Sequence, residues 1–457
     1  GVWRYHPTKK EFEVVAHGFS NPWGIDYDAK GQIFISACVI PHLFHVVPGG
    51  IFHRQGGKHF NPYVYSDIRT IVNHRHRSAH GGARVYLSDA FSQEQQGRLF
   101  MANIHEHAVL SDVLEPKGSG FVAHHGDDFL MANNAQWIGF SMELGPDGSL
   151  YVLDWHDADI CGNEVVHKET GRIFRISPET SLANEWEGRY KDVRLLSDLE
   201  LVKLQENKSS WHARRARIIL QHRATKGKID GDATLLIKNM VKSHANSDYR
   251  LRGLWTGHVT NTFSNEDLLS FLDDRDEYIR AWSIQLLSED KNLSRNALGK
   301  FAAMAKLEDS PVVRLYLAGA LQRMTLDERW EIAEELIRHG EDIADHNIPH
   351  MLWFAVEPMV THNPEKALDL ASVSKIPMLT EYIAWRLSDA NQLELLVSSL
   401  KASNPVSEYL MKGMLSALEG FFDVKAPDNW DSVLLELESD PELAKSAVAI
   451  DRKFGSI

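Results

Sequence analysis

The sequence has few cysteines, no long apolar run and no excess of basic residues. Cys38 and Cys161 are the only cysteines in 457 residues, so there is neither a zinc-cysteine cluster nor a C-x-x-C-H haem motif, and whether the two pair stays open. No apolar stretch approaches the length of a membrane helix, and no signal peptide is recognisable. The net charge of −14 argues against nucleic acid. We therefore expect neither a membrane span nor a nucleic-acid partner.

Histidine, by contrast, is abundant and unevenly distributed. Of 23 histidines, 15 lie before residue 180. Imidazole is the commonest metal ligand and the usual acid–base group near neutral pH. The distribution therefore predicts that any chemistry resides in the first part of the chain.

That first part contains one pattern three times. Two alternating strands joined by a turn start at Gly24, Gly82 and Gly139, about 57 to 58 residues apart. All-β repeats of this length are typical of propeller blades, and a propeller needs four to eight of them. The chain starts with Gly rather than Met, so we expect further sequence upstream. We therefore expect a partial β-propeller, about three blades of six, completed by the missing half in the same parent chain, by a separate chain or by a homo-oligomer mate.

Beyond Pro178 the hydrophobic period becomes helical. Asp248, Asp276 and Asp309 each precede a helix and are followed by an aliphatic-Arg pair, with the arginines 28 and 34 residues apart. This spacing is typical of stacked helix pairs. The predicted fold is thus multidomain β plus α: a partial β-propeller (1–178), a junction (179–205) and an α-solenoid of HEAT-like repeats (206–457).

Several motifs resemble a family provisionally described as membrane-bound dehydrogenases of planctomycetes and verrucomicrobia. They are residues 18–24 (GFSNPWG), 37–45 (ACVIPHLFH), 59–63 (HFNPY), 112–121 (DVLEPKGSGF), 151–157 (YVLDWHD), 347–349 (NIP) and 353–358 (WFAVEP). This family is similar to propellers that use pyrroloquinoline quinone (PQQ), followed by HEAT-like repeats and often a c-type cytochrome. The resemblance implies a periplasmic or cell-envelope oxidoreductase that acts on a sugar or alcohol.

The chain departs from the quinone-dependent relatives at the cofactor site. An Arg in those relatives corresponds to Ser20 here, and further arginines correspond to the stretch containing His105, Glu106 and His107. The blades that supply the relatives' catalytic base and the cytochrome domain are missing from this sequence. These departures count against PQQ as the cofactor.

The densest candidate site is the run from His74 to His80. An H-x-H pair on a strand places both imidazoles on one face, so His74 and His76, with His80, are candidate catalytic or metal-binding residues. Arg75 and Arg77 beside them are candidates for binding an anionic substrate or a cofactor carboxylate. The alternative is a polar loop at the propeller rim.

A second pair follows a predicted strand, and a cofactor candidate lies near the N-terminus. His105 and His107 flank an acid and suit a general base or ligand pair; the alternative is a solvated strand end. Asn21 belongs to the motif that the resemblance associates with the cofactor.

The third candidate is rich in carboxylates. Asp154, His156, Asp157 and Asp159 suit a cation such as Ca²⁺, because hard cations take oxygen ligands. The alternative is a turn with Asx-type hydrogen bonds.

Three functions remain open from the sequence. The first is part of an extracytoplasmic oxidoreductase with its site on the propeller face. The second is a non-catalytic scaffold that binds a glycan or a protein through the propeller or the solenoid. The third is a metal-dependent hydrolase or lyase acting on polysaccharide.

Overall fold

The computed structural model describes residues 1–7, 9–39, 41–77, 79–157, 169–181, 186 and 188–455. Within these residues, antiparallel sheets occupy the first part of the chain and α-helices the remainder. The predicted fold class, a β region followed by an α-solenoid-like array, is confirmed. The described strands do not close into a barrel.

The strands form a hairpin and three larger sheets. The hairpin contains β1 (Val2–His6) and β2 (Glu11–Ala16). The first sheet contains β3 (Pro22–Tyr27), β4 (Ile33–Ala37) and β5 (Leu43–Val46). The second contains β6 (His80–Val85), β7 (Leu99–Asn103), β8 (Ala108–Lys117), β9 (Gly120–His125) and β10 (Leu130–Met131). The third contains β11 (Gly139–Leu144), β12 (Leu150–Asp154) and β13 (Arg172–Ile176).

The three sheets follow one another as the repeated glycines predict. Strand β6 lies between β3 of the first sheet and β11 of the third. At Gly24 the backbones of β3 and β6 approach so closely that a Cβ atom would lie 2.2 Å from the backbone nitrogen of Ala83. Only glycine allows this approach, which explains why the first repeat begins with it.

Apolar side chains fill the spaces between successive sheets. One cluster joins the first and second sheets and includes Phe34, Leu43, Val85, Leu99 and Met101. Another joins the second and third sheets and includes Tyr86, Phe100, Trp137, Met142 and Val152. Along β7, alternation directs Leu99 and Met101 into one cluster and Phe100 into the other, so both faces of this strand are buried.

The described helices run from residue 198 to residue 453. They are α1 (Asp198–Lys203), α2 (Ser210–Ala224), α3 (Gly231–Ser243), α4 (Ser247–Val259), α5 (Asn265–Phe271), α6 (Glu277–Leu287), α7 (Arg295–Leu307) and α8 (Pro311–Leu321). They continue as α9 (Trp330–Leu336), α10 (Ile348–His362), α11 (Pro364–Val373), α12 (Pro377–Asp389), α13 (Leu393–Ser399), α14 (Ser407–Ala417), α15 (Trp430–Glu438) and α16 (Pro441–Lys453). Local signals start many of them: Ser197 and Glu200 form a capping box at α1, and α8, α11, α12 and α16 begin with proline.

The chain divides into two compact units. The N-terminal unit comprises Gly1–Val47, Phe52–Gly57 and Arg69–Leu287, and therefore contains all the sheets and α1 to α6. The C-terminal unit comprises Pro48–Ile51, Lys58–Ile68 and Ser288–Ile457. The domain limits read from the sequence, 1–178, 179–205 and 206–457, stay predictions.

Within the N-terminal unit, the turn between β3 and β4 packs on helices. Nζ of Lys30 lies 2.7 Å from Asp248 and 3.0 Å from the Ser247 hydroxyl. The indole of Trp282 donates to the Lys30 carbonyl at 2.8 Å. The first sheet and helices α4 and α6 thus form one packed body.

Candidate metal centre

The stretch before His74 is fixed between β5 and β9. The backbone N–H of Ile71 donates to the Leu43 carbonyl, and the N–H of Ala123 donates to the Ile71 carbonyl, each at 2.9 Å. Val72 bridges to Ala123 in parallel. These bonds position the segment that follows at the boundary of the first and second sheets.

Side chains alternate along this segment. His74 and His76 turn inward, with 15% and 5% of their side-chain area exposed. Arg75 and Arg77 are exposed. A period of two is that of an extended chain, so the H-x-H pattern brings both imidazoles to one side.

The two imidazoles meet the carboxylate of Asp112, which is fully buried on β8. Nε2 of His74 lies 3.1 Å and Nε2 of His76 lies 3.3 Å from Oδ1 of Asp112. Nε2 of His42, in the loop before β5, lies 2.7 Å from Oδ2. Two separate stretches of the chain therefore converge on the carboxylate of a third.

The spacing of the ligand atoms fits a bound metal ion. Bonds of about 2.0–2.1 Å around tetrahedral Zn²⁺ place neighbouring ligand atoms about 3.3 Å apart. Here the two Nε2 atoms of His74 and His76 are 3.1 Å apart, close to their distances from Oδ1 of Asp112. With Nε2 of His42 included, all four ligand atoms lie within 4.8 Å of one another. Two N–H groups that face each other at this distance would repel. At least one of the two Nε2 atoms is therefore unprotonated and presents the lone pair that a metal binds.

The electrostatics of the cluster also suit metal ligation. Burial alone would raise the pKa of Asp112, but hydrogen bonds with His42, His74 and His76 outweigh burial and hold it below its usual range. Burial lowers the pKa of His42, whereas the hydrogen bond to Asp112 raises that of His74. The structure thus favours an ionised Asp112, the state in which a carboxylate binds a metal, whereas His74 has to lose any proton it carries when a metal binds.

Two further histidines surround the cluster. His80 is buried and stacks on His42 with ring centroids 4.4 Å apart. Burial, reinforced by His42 and His76, lowers the pKa of His80 to about 3. Neither ring nitrogen of His80 has a hydrogen-bond partner among the residues that the structure describes. On the solvent side, the ring of His125 lies 4.5 Å from that of His76.

His105 and His107 are not part of this cluster. His105 is exposed beyond β7, and its backbone N–H donates to the side chain of Asn103 at 3.1 Å. Nδ1 of His107 donates to the Trp137 carbonyl at 2.8 Å. Their catalytic role stays a prediction.

In the carboxylate-rich candidate site, both side-chain oxygens of Asp154 already accept hydrogen bonds from other protein groups. One oxygen accepts from the backbone N–H of Ile138 at 2.7 Å, and the other accepts from Arg172 at 2.7 Å. Nδ1 of His156 contacts the Thr170 hydroxyl at 2.7 Å, and Asp157 is buried. Asp159 and Cys161 lie outside the described residues, and Ca²⁺ binding here stays a prediction.

The residues predicted to bind a cofactor are Asn21, Arg75 and Arg77, and all three are exposed. Asn21 is exposed and accepts from the Trp23 indole at 2.9 Å. Arg75 and Arg77 point away from the histidines. PQQ carries three carboxylates and needs several cationic partners, and the described residues around Asp112 do not supply them. The residues near the cluster therefore do not fit the quinone.

Comparisons with known proteins found one family model and several solved structures. Residues 1–180 match a family model. It is described as a domain of unknown function, DUF7133. No curated protein matches the chain. The matched residues, 1–180, contain every member of the histidine cluster.

Likenesses to solved structures are distant. One is a protein from Thermus thermophilus provisionally named an oxidoreductase (glucose dehydrogenase), with 24% identity and a TM-score of 0.27. The similarity covers 36% of this chain and 46% of the Thermus protein, so this chain spans about half the length of that protein. A designed armadillo repeat protein has 13% identity and a TM-score of 0.19, and covers 56% of this chain and 99% of its own. An engineered protein has 14% identity and a TM-score of 0.22, and covers 56% of this chain and 88% of its own.

Local sequence patterns do not indicate that His42, Asp112 and His125 lie in or beside the cluster. His42 lies in the PHLFH motif, and Asp112 begins the DVLEP motif. Both motifs were recognised for their resemblance and not for chemistry. Their contact joins residues 70 positions apart, which no local pattern reveals.

No described helix has both the length and the apolar character needed to cross a bilayer.

Proposed function

We propose that this chain is the metal-bearing part of an extracytoplasmic oxidoreductase acting on a sugar or alcohol. The observation that carries the proposal is the convergence of His74, His76 and Asp112 at ligand spacing. Two imidazoles and one carboxylate form a donor set that leaves coordination positions open for substrate. The dehydrogenase resemblance and the cell-envelope location enter as part of the proposal.

His42 has a different role from the other three residues. It contacts Oδ2 of Asp112, whereas His74 and His76 contact Oδ1. An outer partner of this kind fixes the orientation of a ligating carboxylate and tunes its basicity. We assign His74, His76 and Asp112 as ligands and His42 as the positioning residue.

The ion would act on a hydroxyl group of the substrate. A divalent cation withdraws electron density from a bound hydroxyl and lowers its pKa, so that the proton leaves more readily. His80 is neutral and buried beside the cluster, with ring nitrogens able to hydrogen-bond a bound hydroxyl group.

A metal-dependent hydrolase or lyase is the second candidate function. Catalytic zinc sites also use two histidines and one carboxylate, with water in the open position. The metal identifies the better candidate: iron favours the oxidoreductase, and zinc favours the hydrolase or lyase. The binding-scaffold alternative predicts no stoichiometric metal.

The test is metal content and affinity of the purified chain. We expect one Fe²⁺ or Zn²⁺ per chain by elemental analysis, and binding at least tenfold weaker in His76→Ala. His105→Ala, which removes an exposed histidine outside the cluster, should bind like the parent. Absence of stoichiometric metal, or equal effects of the two variants, would refute the proposed site.

We also propose that the three sheets are completed by further sheets, from the same parent protein, a separate chain or a second copy. In the third sheet, register partners Leu153 and Ile173 are 47% and 70% exposed. Apolar pairs at that exposure are suited to packing against another sheet. The mass of the native protein tests this: a monomer of 51.8 kDa would contradict it.

A further inference from the structure

Two arginines in the N-terminal unit differ in how their charge is balanced. Arg214 on α2 binds the carboxylate of Asp26 at 2.8 Å. Arg252, buried on α4, instead donates to two backbone carbonyls, Gln205 at 3.0 Å and Asn207 at 2.6 Å. A carbonyl satisfies the donor but does not neutralise the charge.

A third arginine, Arg217 on α2, forms weaker polar contacts than either of these two. Its Nη2 reaches the hydroxyl of Tyr27 at 3.4 Å, and its guanidinium lies 5.2 Å from the ring centre of Trp255 on α4. Nη1 of Arg217 is buried and has no hydrogen-bond partner in the described chain. Nε1 of Trp255 is also buried and has no such partner there. Two neighbouring groups that can only donate therefore face no acceptor.

The local charges are also unbalanced. Burial lowers the pKa of Arg252, and the charges of Arg217 and Arg214 add to the lowering, while Tyr249 and the carboxylate of Asp248 oppose it in part. Burial likewise lowers the pKa of Arg217, with Arg214 contributing. Among the carboxylates that the structure describes, only Asp26 forms an ion pair with one of the three arginines. Desolvated cations of this kind are normally paired.

We propose that Arg217 and Trp255, supported by Arg252, bind a small oxyanion such as phosphate, sulfate or a carboxylate. An anion oxygen would accept from Nη1 of Arg217 and Nε1 of Trp255 together, and its charge would offset the surplus of the arginines. A water molecule could accept the hydrogen bonds but would leave the charge unbalanced. Arg217 and Trp255 are partly exposed as whole residues, whereas Nη1 of Arg217 and Nε1 of Trp255 are themselves buried.

The test is titration calorimetry of the intact chain with sodium phosphate, sodium sulfate and sodium acetate at constant ionic strength. We expect saturable 1:1 binding of at least one of them. Arg217→Met should weaken binding at least tenfold, and Trp255→Phe, which removes only one donor, should weaken it severalfold. Arg215→Met, an exposed arginine on the same helix, should bind like the parent.

The three salts distinguish the anion classes. Preference for phosphate or sulfate indicates a tetrahedral oxyanion, and preference for acetate indicates a carboxylate; both support the site. No saturable binding of any of the three, or unchanged binding in Arg217→Met, would overturn it. If Arg217→Met does not fold, Trp255→Phe decides in its place: unchanged affinity would overturn the site.

Discussion

A single carboxylate, Asp112, organises the histidine cluster. It is fully buried and shared by three imidazoles, and its pKa stays low because these bonds outweigh the penalty of burial. The sequence identified His74, His76 and His80 as a site because they are close together along the chain. It could not identify Asp112, which is 36 residues from His76 and becomes its neighbour only through sheet packing.

The positioning role of His42 can be measured separately from ligation. We expect His42→Gln to retain one metal ion per chain but to bind it about 10 to 100 times more weakly, as for other outer-sphere partners. Titration of metal into the chelator-treated protein measures both quantities, with His105→Gln as the control. Complete loss of stoichiometric metal in His42→Gln would show instead that His42 is a ligand.

Because of Asp28, in the turn between β3 and β4, we expect the stability of the protein to depend on pH. Burial raises the pKa of Asp28 to about 6, although Lys30 and Gln32 donate to it through their backbone N–H groups. Between about pH 4, where the unfolded carboxyl titrates, and pH 6 the folded state binds more protons. The free energy of unfolding therefore falls as pH rises through this window.

Asp28→Asn should remove this loss, because an amide oxygen can accept the same two hydrogen bonds without a charge. We expect the variant to be more stable at pH 7 by about 1 kcal/mol, a figure reduced for the partial exposure of the side chain. Denaturant unfolding at pH 4 and pH 7 measures it. A stability gain that is the same at both pH values would contradict the predicted titration.

At the scale of elements, helix and strand types were predictable and their partners less so. The repeated glycines predicted the hairpins β3–β4, β6–β7 and β11–β12, since each carries a period-two pattern and a turn. The Asp and Arg repeat was also informative. Arg314 on α8 pairs with Asp342, between α9 and α10, at 2.6 Å, but Arg252 binds carbonyl groups instead. Repeated sequence indicates the stacking and cannot specify which partner each arginine meets.

The β3–β4 turn also depends on a glycine. Gly31 has φ +77°, and a Cβ there would lie 2.5 Å from Trp282 and 2.8 Å from Trp255. We expect Gly31→Ala to destabilise the N-terminal unit by about 3 kcal/mol, because strain at positive φ adds to overpacking. Thermal and denaturant unfolding measure the loss.

Gly97→Ala is the matched control for that change. Gly97 has φ +76° but open space around the Cβ position. The Gly97→Ala variant should lose about 1 to 2 kcal/mol of unfolding free energy, because only backbone strain at positive φ contributes. Equal losses in the two variants would mean that contact with the indoles contributes nothing.

At the scale of the whole molecule, the order of a β region and then an α region was predictable, and the route of the chain between the two compact units was not. Composition and periodicity change after Pro178, where sheets give way to helices. Residues 58–68, however, belong to the C-terminal unit although they are surrounded in sequence by the N-terminal unit. Tyr65 stacks on Trp385 with ring centroids 3.9 Å apart and donates to Asp389 at 2.6 Å. A polar, aromatic loop gives no indication of such a distant partner.

Tyr65→Ala tests this contact. We expect it to destabilise the C-terminal unit by about 2 kcal/mol, less than for a fully buried ring, because Tyr65 is partly exposed. Tyr65→Phe keeps the ring and should lose about 1 kcal/mol, the value of one hydrogen bond. Differential scanning calorimetry measures both, with the exposed Phe60→Ala as the control. A Tyr65→Ala curve that matches Phe60→Ala would show that the stacking contributes no stability.

The grouping of residues 58–68 with the C-terminal helices limits how a gene for such a protein can arise by fusion of two shorter genes. A gene segment for residues 288–457 alone would encode Trp353 and Trp385 but not the tyrosine that stacks on both. Joining a ready-made helical array end to end with a β protein would not produce the arrangement seen here. The loop and the helices have to change together, so recombination within the gene would separate residues that depend on each other.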